Sequence, residues 1–245
     1  MFFLRKKEVN IVEDGWLDGM LETHCHLLPG VDDGVRSLEE SRALLQVMQS
    51  VGIRQFIFTP HIHGRYPKNS SLTLPGQFQS YLSELSMPSY RIMLAAEYMI
   101  DDRFESHLDE PLLTMGASRF VLIELSFAGA QMGYLDSIRS LRASGGKPLL
   151  AHPERYLYMS MREYESLKEL GVAFQLNLFS LTGMYGDAVL RRARKLLVEG
   201  FYDFVGTDTH RIEKFQSVVQ QAFLPRNYRP LLEKLKGNNQ QLLAQ

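Results

Sequence analysis

Short apolar runs alternate with longer segments of helical periodicity along the whole chain. Seven runs have the length and composition of strands, at 19–26, 53–59, 91–97, 120–125, 148–151, 172–177 and 201–207. The segments between and after them predict helices at 37–51, 74–85, 134–143, 162–170 and 188–198, with further helices closing the chain. The run at 120–125 is almost wholly apolar, which is typical of a parallel strand buried on both faces.

Strand followed by helix, repeated without a linker, predicts an α/β fold with a parallel sheet and helices outside it. Seven such units in 245 residues favour a barrel, and an open doubly wound sheet is the alternative. We expect a leader over residues 1–18 and a single domain over residues 19–245. Within the leader, residues 2–7 are expected to be disordered, with contact to a membrane surface as the alternative.

The overall composition is that of a soluble globular protein, with 45% hydrophobic and 22% charged residues. Its 27 basic and 28 acidic residues give a net charge of -1, so no nucleic-acid partner is expected. No apolar run approaches the ~20 residues of a membrane span, and the N-terminus has the wrong order of charge for a signal peptide. A cytoplasmic protein is therefore expected, and an oligomer is compatible with the sequence.

The polar residues concentrate where the predicted strands end. Six of the seven histidines lie there, namely His24, His26, His61, His63, His152 and His210. Four acids occupy the same kind of position, namely Asp33, Glu97, Glu124 and Asp208. A single histidine at a strand end is usually a structural residue, but the carboxyl ends of parallel barrel strands meet at one rim, where active sites form. Imidazole and carboxylate together suit Mn, Fe or Zn, so the pattern predicts a metal centre.

The spacing of these residues supports metal ligation. His24-x-His26 places both imidazoles on one face of a strand and directs Cys25 to the other. Cys25 is the only cysteine, which excludes a disulfide framework and a CxxC site. Glu124 interrupts an apolar strand, where an unpaired carboxylate is costly. Ligation of a metal removes that cost, and a buried salt bridge to an arginine is the alternative.

Several motifs in the chain resemble those of the PHP (polymerase and histidinol phosphatase) superfamily. They are E-T-H-C-H-L-L-P-G-V-D-D-G at 22–34, T-P-H at 59–61, A-E at 96–97, L-I-E-L-S at 122–126, A-H-P-E-R-Y at 151–156 and G-T-D-T-H at 206–210. Within the superfamily they are similar to the manganese-dependent protein-tyrosine phosphatases found with bacterial capsule and exopolysaccharide genes. The resemblance implies a distorted (β/α)7 TIM-like barrel with two or three divalent ions, Mn²⁺ or alternatively Fe or Zn, at its mouth.

The resemblance also implies roles for individual residues. One metal would be held by His24, His26, Glu124 and Asp208, and a second by Glu124, which bridges, and His152. The remaining positions would be filled by Asp33, His61, Glu97 and His210. Arg155 matches the family's catalytic arginine, which binds phosphate, and Asp208 or His210 would orient the nucleophile or protonate the leaving group.

The roles that we expect for other residues near these motifs are less specific. His63 lies on a loop where the family varies, so it would at most support the ligands or face the substrate. Arg65 is a candidate contact of the substrate, with a solvated loop arginine as the alternative. Tyr66, Tyr134, Tyr156 and Tyr185 could line an aromatic slot or simply pack at the rim.

The function implied by the resemblance is metal-dependent hydrolysis of phosphotyrosine on a protein, expected to be the tail of a bacterial tyrosine kinase of polysaccharide synthesis. A small-molecule phosphatase, such as a histidinol-phosphate phosphatase, is the alternative on the same fold, and a nuclease or a metal-independent scaffold is a third. Four carboxylates and three divalent ions leave a charge of about +2, which suits a phosphate monoester. A cysteine-phosphatase mechanism is excluded, because Val31 stands where a C-x5-R loop needs arginine.

Overall fold

A computed structural model describes residues 8–87 and 90–243 of the chain, which form an α/β fold with parallel sheets. The strands are β1 Glu8–Asn10, β2 Leu21–Cys25, β3 Gln55–Phe58, β4 His61–Ile62, β5 Arg91–Leu94, β6 Glu97–Met99, β7 Phe120–Glu124, β8 Lys147–Ala151, β9 Ala173–Asn177, β10 Phe204–Gly206 and β11 Phe223–Pro225. The helices are α1 Leu38–Ser50, α2 Leu74–Leu85, α3 Phe104–His107, α4 Tyr134–Ala143, α5 Met161–Glu169, α6 Asp187–Val198, α7 Ile212–Gln220 and α8 Arg229–Asn239.

The strands form two parallel sheets and one small antiparallel pair. The larger sheet has the order β10-β9-β8-β7-β6-β4, and the smaller has the order β2-β3-β5. The antiparallel pair joins β1 to β11. The prediction of a parallel α/β fold is therefore confirmed, and each of the seven predicted strand runs contains at least one strand.

The predicted strand at 91–97 is interrupted, and a short strand that was not predicted, β4, follows the predicted strand at 53–59. β3 and β5 belong to the smaller sheet, whereas β4 and β6 belong to the larger. The break between β3 and β4 falls at Pro60, which has no N–H to donate to a neighbouring strand. Backbone bonds continue across it, from Ala95 N to Phe58 O (2.8 Å) and from Glu97 N to Pro60 O (3.1 Å). The break therefore redirects the strands without separating them.

β2, at one edge of the smaller sheet, lies beside β10, at one edge of the larger sheet. Cys25 and Thr209 form an isolated parallel bridge. Next to it, His26 N donates to Thr209 O (2.9 Å) and Asp208 N donates to His24 O (2.8 Å). These bonds bring the carboxyl ends of β2 and β10 together.

The strands carry a small apolar cluster of their own in addition to the main core between sheets and helices. It contains Leu21, Ile57, Leu122, Leu149 and Phe204, one from each of five strands, and all are at most 4% exposed. Side chains two residues apart share a face of a strand. Glu124 therefore extends from the same face as Leu122, one step nearer the carboxyl ends of the strands.

Part of the predicted leader is folded. β1 lies within it, and the segment that follows buries Ile11, Trp16 and Leu17, which are 0%, 5% and 1% exposed. Residues 1–7, which include the segment expected to be disordered or at a membrane, lie outside the described residues. Among the helices in 8–87 and 90–243, none is long and apolar enough to cross a membrane.

Asn239, at the end of α8, should hold β2 and β10 together. Its side chain is fully buried, donates to Leu21 O (2.9 Å) and Val205 O (2.7 Å), and accepts from Val205 N (3.1 Å). At about 1 kcal/mol for each lost bond, we expect Asn239→Ala to lower the free energy of unfolding by about 3 kcal/mol in urea titrations. Its neighbour Asn238 makes one such bond, to Asp203 O, so Asn238→Ala should cost about 1 kcal/mol or less. Equal costs would contradict this role.

Candidate metal centre

The nine predicted ligands meet where β2, β3, β5, β7, β8 and β10 end, and each of them lies near or after the end of one of these strands. His24 lies on β2, Glu97 begins β6 and Glu124 ends β7, while His152 and Asp208 follow β8 and β10. Three groups have ligand atoms within 4.8 Å of one another: His24, His26, Glu97 and Asp208; His26, Asp33, His61 and His210; and His61, Glu97 and Glu124. The ninth residue, His152, joins them through Nε2, which lies 3.1 Å from Glu97 Oε1 and 3.9 Å from Glu124 Oε2.

Glu97 occupies the centre of this arrangement, and the resulting grouping differs from the partition implied by the resemblance. Its Oε2 lies 3.2 Å from His24 Nε2, 3.4 Å from His26 Nε2 and 3.2 Å from His61 Nδ1. Glu124, expected with His24 and His26, instead forms a group with His61 and Glu97. The reason is sheet register, since Glu97 pairs with Leu122 and lies one step deeper than Glu124.

Several atoms at the centre are buried without a hydrogen-bond partner. They are His24 Nε2, His26 Nε2, His61 Nδ1 and Glu97 Oε2. A buried polar atom without a partner is costly and rare in native proteins. Four such atoms on neighbouring side chains, all of types that bind divalent transition metals, fit a centre whose bonding is completed by metal ions.

Two residues that the sequence analysis missed orient the histidines. His26 Nδ1 donates to Asp32 Oδ2 (2.8 Å), and His24 Nδ1 donates to Gln175 Oε1 (2.8 Å). These bonds turn both Nε2 atoms towards Glu97, as outer partners of ligating histidines commonly do. Signals for both existed in the sequence, because Asp32 precedes Asp33 in the D-D-G motif and Gln175 is a polar residue within an apolar strand.

The carboxylates of the centre have opposed pKa shifts. Burial by itself would raise the pKa of Glu97, but the charges of His24 and His61 outweigh it and hold that pKa well below its usual range. Burial, together with the charges of Glu97 and Asp208, raises the pKa of Glu124 well above its usual range. Burial and the charge of His26 lower the pKa of His61 to about 4. A bound cation would relieve the repulsion among the acids.

Two of the predicted ligands have an unusual backbone conformation. His152 and Asp208 have φ values of 34° and 55°, in the left-handed region that residues other than glycine seldom adopt. His152 is the first residue after β8, and Asp208 is the second residue after β10. Such conformations cost of order 1–3 kcal/mol and are concentrated at functional sites. At His152 and Asp208 this backbone conformation occurs where the side chain is directed into the centre.

Arg155 lies beside the centre in a short 3₁₀ turn, Pro153–Arg155. Its Nη1 donates to Asp208 Oδ2 (2.9 Å). The guanidinium carbon lies 4.1 Å from the centroid of the Phe127 ring and 4.5 Å from that of Tyr185. These three contacts fix the position of the guanidinium at the edge of the metal centre.

Two cavities open at the centre. The first, of about 290 Å³, is lined by Arg155, Asp208 and His210, and by the apolar side chains of Phe127, Phe179, Met184, Tyr185 and Phe215. The second, of about 610 Å³, is lined by His63, Arg65 and Tyr66. Four residues line both, namely Asp33, His61, Glu124 and Phe127. Arg65 is exposed and lies outside the ligand groups, as does His63.

The remaining candidate residues are either buried in the protein or lie away from the two cavities. Tyr156, suggested for an aromatic slot, is fully buried, and its hydroxyl accepts from Leu125 N (3.0 Å). Tyr134 lines neither of the two cavities. Cys25 is fully buried with its Sγ 3.6 Å from Ile57 O, and burial raises its pKa well above the usual value. Cys25 is therefore a packing residue, as the strand alternation predicts.

Comparisons with known proteins agree with this arrangement. The model of a family described as "Capsular polysaccharide synthesis, CpsB/CapC" matches residues 20–226. Tyrosine-protein phosphatase YwqE of Bacillus subtilis is 28% identical over 211 residues, which are 83% of this chain and 82% of that protein. A putative tyrosine-protein phosphatase CapC of Staphylococcus aureus is 27% identical over 226 residues, 89% of this chain and 88% of that one.

A similar fold occurs among solved structures. One match comes from a study of YwqE from Bacillus subtilis and CpsB from Streptococcus pneumoniae, described there as unique metal-dependent tyrosine phosphatases. It has a TM-score of 0.77 and 24% sequence identity, and it covers 91% of this chain and 94% of the other. This likeness concerns the fold.

Loss of Glu97 should affect the binding of more than one metal ion, because Glu97 belongs to two of the three ligand groups. We expect Glu97→Ala to lower the Mn²⁺ bound per chain, measured by elemental analysis after dialysis. It should also remove the rise in melting temperature on adding Mn²⁺, which at 100 times Kd corresponds to about 2.7 kcal/mol. His63→Ala, at the same edge but outside the groups, is the control and should change neither. Unchanged metal content in Glu97→Ala would contradict the placement.

Proposed function

Because the chain belongs to the CpsB/CapC family of capsular polysaccharide synthesis, we propose that it is a metal-dependent protein-tyrosine phosphatase, a phosphoric monoester hydrolase. The observation that carries this proposal is the position of Arg155 beside nine converging histidine and carboxylate side chains. Relatives that match most of the chain are named tyrosine-protein phosphatases, and this supports the proposal.

The ligands proposed for two or three divalent ions are His24, His26, Asp33, His61, Glu97, Glu124, His152, Asp208 and His210. We propose Mn²⁺ as the ion, with Fe or Zn as the alternatives that the same donors suit. When bound, divalent ions would supply positive charge to the phosphoryl oxygens and would lower the pKa of a bound water towards ~7. The protein positions the donor atoms: Gln175 and Asp32 fix two of the imidazoles before any ion arrives.

Arg155 is proposed to bind the phosphate. A guanidinium offers paired donors that match two phosphate oxygens, and donors fixed in place stabilise charge that develops in the transition state. Its contacts with Asp208, Phe127 and Tyr185 hold it in position before the substrate binds. Arg65, exposed at the second cavity, is proposed to contact the polypeptide around the phosphotyrosine.

The geometry favours a difference in role between Asp208 and His210. Asp208 Oδ2 accepts from Arg155, and Oδ1 lies 3.4 Å from His24 Nε2. Burial opposes ionisation of Asp208, but the charges of His24 and His210 hold its pKa far below the usual range. We therefore assign Asp208 to ligation and to holding Arg155, and we assign His210, at the more exposed rim, to ligation and to orienting the nucleophile. A tyrosine leaving group, with a pKa near 10, needs little protonation.

The first cavity favours this substrate over histidinol phosphate. Its acidic lining residues are Asp33, Glu97, Glu124 and Asp208, all in the proposed ligand set. Within the described residues, that cavity therefore offers no further carboxylate for the ammonium group of an amino alcohol. Four aromatic side chains, Phe127, Phe179, Tyr185 and Phe215, also line the cavity, and they suit a phenyl ring.

We further propose that the two parallel sheets together form a distorted (β/α)7 barrel. The bridge between Cys25 and Thr209 supports it, as do the backbone bonds that continue from β3 and β5 of the smaller sheet towards β4 and β6 of the larger. The names of the relatives support a phosphotyrosyl protein as the partner, and the family description supports a role in capsule synthesis. We propose that this partner is the tail of a bacterial tyrosine kinase and that the two proteins interact in the cytoplasm.

The proposed function predicts strict metal dependence. Treatment with a chelator should abolish hydrolysis of a phosphotyrosyl peptide, because the donors then hold no ion. Added Mn²⁺ should restore the rate better than Ca²⁺, which prefers oxygen ligands. Released phosphate measures the rate, and histidinol phosphate is the comparison substrate. Full activity in a thoroughly metal-free sample would overturn the proposal, and a preference for histidinol phosphate would favour the alternative.

Substitution of Asp208 should change metal binding, whereas substitution of Arg155 should change catalysis and phosphate binding. Asp208→Ala should lower bound metal and activity together. Arg155→Ala should keep the metal content but lower kcat by ~10²–10³, the scale for losing one preorganised donor, and should weaken inhibition by inorganic phosphate. If its contacts are equally strong in ground and transition states, KM rises instead. An Arg155→Ala protein with normal kcat/KM and normal phosphate inhibition would show that the arginine does not contact the substrate.

A further inference from the structure

Phe127 is an exposed aromatic side chain at the mouth of the metal centre. We propose that it is a specificity-determining residue, whose ring packs against the aromatic ring of the substrate and so selects aryl over alkyl phosphates. The inference rests on the proposed function and adds to it the residue that recognises the organic part of the substrate.

The exposure of Phe127 is the first observation. Its side chain is 47% exposed, although most large apolar residues of the described chain are buried. It is also the one apolar side chain among the four residues that line both cavities. Exposed apolar surface at the edge of a cavity is typical of a binding site. A substrate ring lying here would remove that surface from water.

Contacts with three neighbouring side chains hold the ring in place. Its centroid lies 5.6 Å from that of His152 and 5.8 Å from that of Tyr156, with the Tyr156 ring at 22° to it. The guanidinium carbon of Arg155 lies 4.1 Å from the same centroid. Phe127 is therefore positioned before a substrate arrives, which lowers the entropic cost of a new contact.

The distance between Arg155 and Phe127 favours an aryl ester. The group proposed to bind phosphate contacts the ring directly, so whatever follows the ester oxygen must lie close to Phe127. In phosphotyrosine this is a flat aromatic ring, and paired aromatic rings gain energy beyond the area they bury. In an alkyl phosphate it is a small methylene group with much less surface. Met184 and Tyr185 provide further apolar surface in the same cavity.

Binding of non-hydrolysable ligands tests the assignment without turnover. The Mn²⁺-loaded protein is titrated by calorimetry with phenylphosphonate, ethylphosphonate and inorganic phosphate. We expect the native protein to prefer phenylphosphonate over ethylphosphonate by ~10-fold or more. Phe127→Ala should reduce that preference ~10-fold while phosphate affinity changes less than ~3-fold, and Phe127→Leu should lie between. Met132→Ala is the matched control, since Met132 is 98% exposed on the same loop and lines neither cavity.

Two results would overturn the assignment. If Phe127→Ala weakens all three ligands equally, the ring acts only by holding Arg155. If the preference is unchanged, another part of the wall contacts the substrate ring. Hydrolysis of a phosphotyrosyl peptide by the native protein is measured in parallel. A protein that shows the expected preference but no hydrolysis would contradict the proposed function and leave the role of Phe127 intact.

Discussion

The site depends on one buried carboxylate, that of Glu97. It is 1% exposed, and one of its oxygens lies within 3.4 Å of three imidazole nitrogens that have no hydrogen-bond partner. Burying a charge is costly unless it is paired or binds a metal. The surrounding imidazoles offset part of the free-energy cost of burying this charge, and metal ions bound at the same atoms would offset the rest. This constraint explains why so many ionisable groups meet in an otherwise apolar interior.

The fold meets this constraint through its parallel strands. Their carboxyl ends gather side chains that are far apart in sequence, from His24 on β2 to Asp208 after β10. Strand register sets the depth of each ligand, and the left-handed backbone at His152 and Asp208 accompanies their turn into the centre. Arg155 is tied to the same centre through Asp208, so the proposed phosphate-binding group and the proposed ligands form one unit.

Much of the arrangement could be predicted from local sequence. The alternation of strands and helices predicted the parallel α/β fold, and the spacing of His24 and His26 placed both on one strand face. Features set by long-range register could not be predicted. The central position of Glu97, rather than Glu124, follows from how β6 pairs with β7. The partners Asp32 and Gln175 depend on loop and strand packing, and the folding of residues 8–18 depends on β11, more than 200 residues away.

The central claim is that Glu97 and its neighbours bind divalent metal. Anomalous scattering at the manganese edge, from crystals grown with Mn²⁺, tests it most directly. The account predicts two or three anomalous peaks, each within coordination distance of side chains from one of the three groups, with Glu97 contacting two of them. Manganese peaks only at surface carboxylates, or none at the carboxyl ends of the strands, would contradict it.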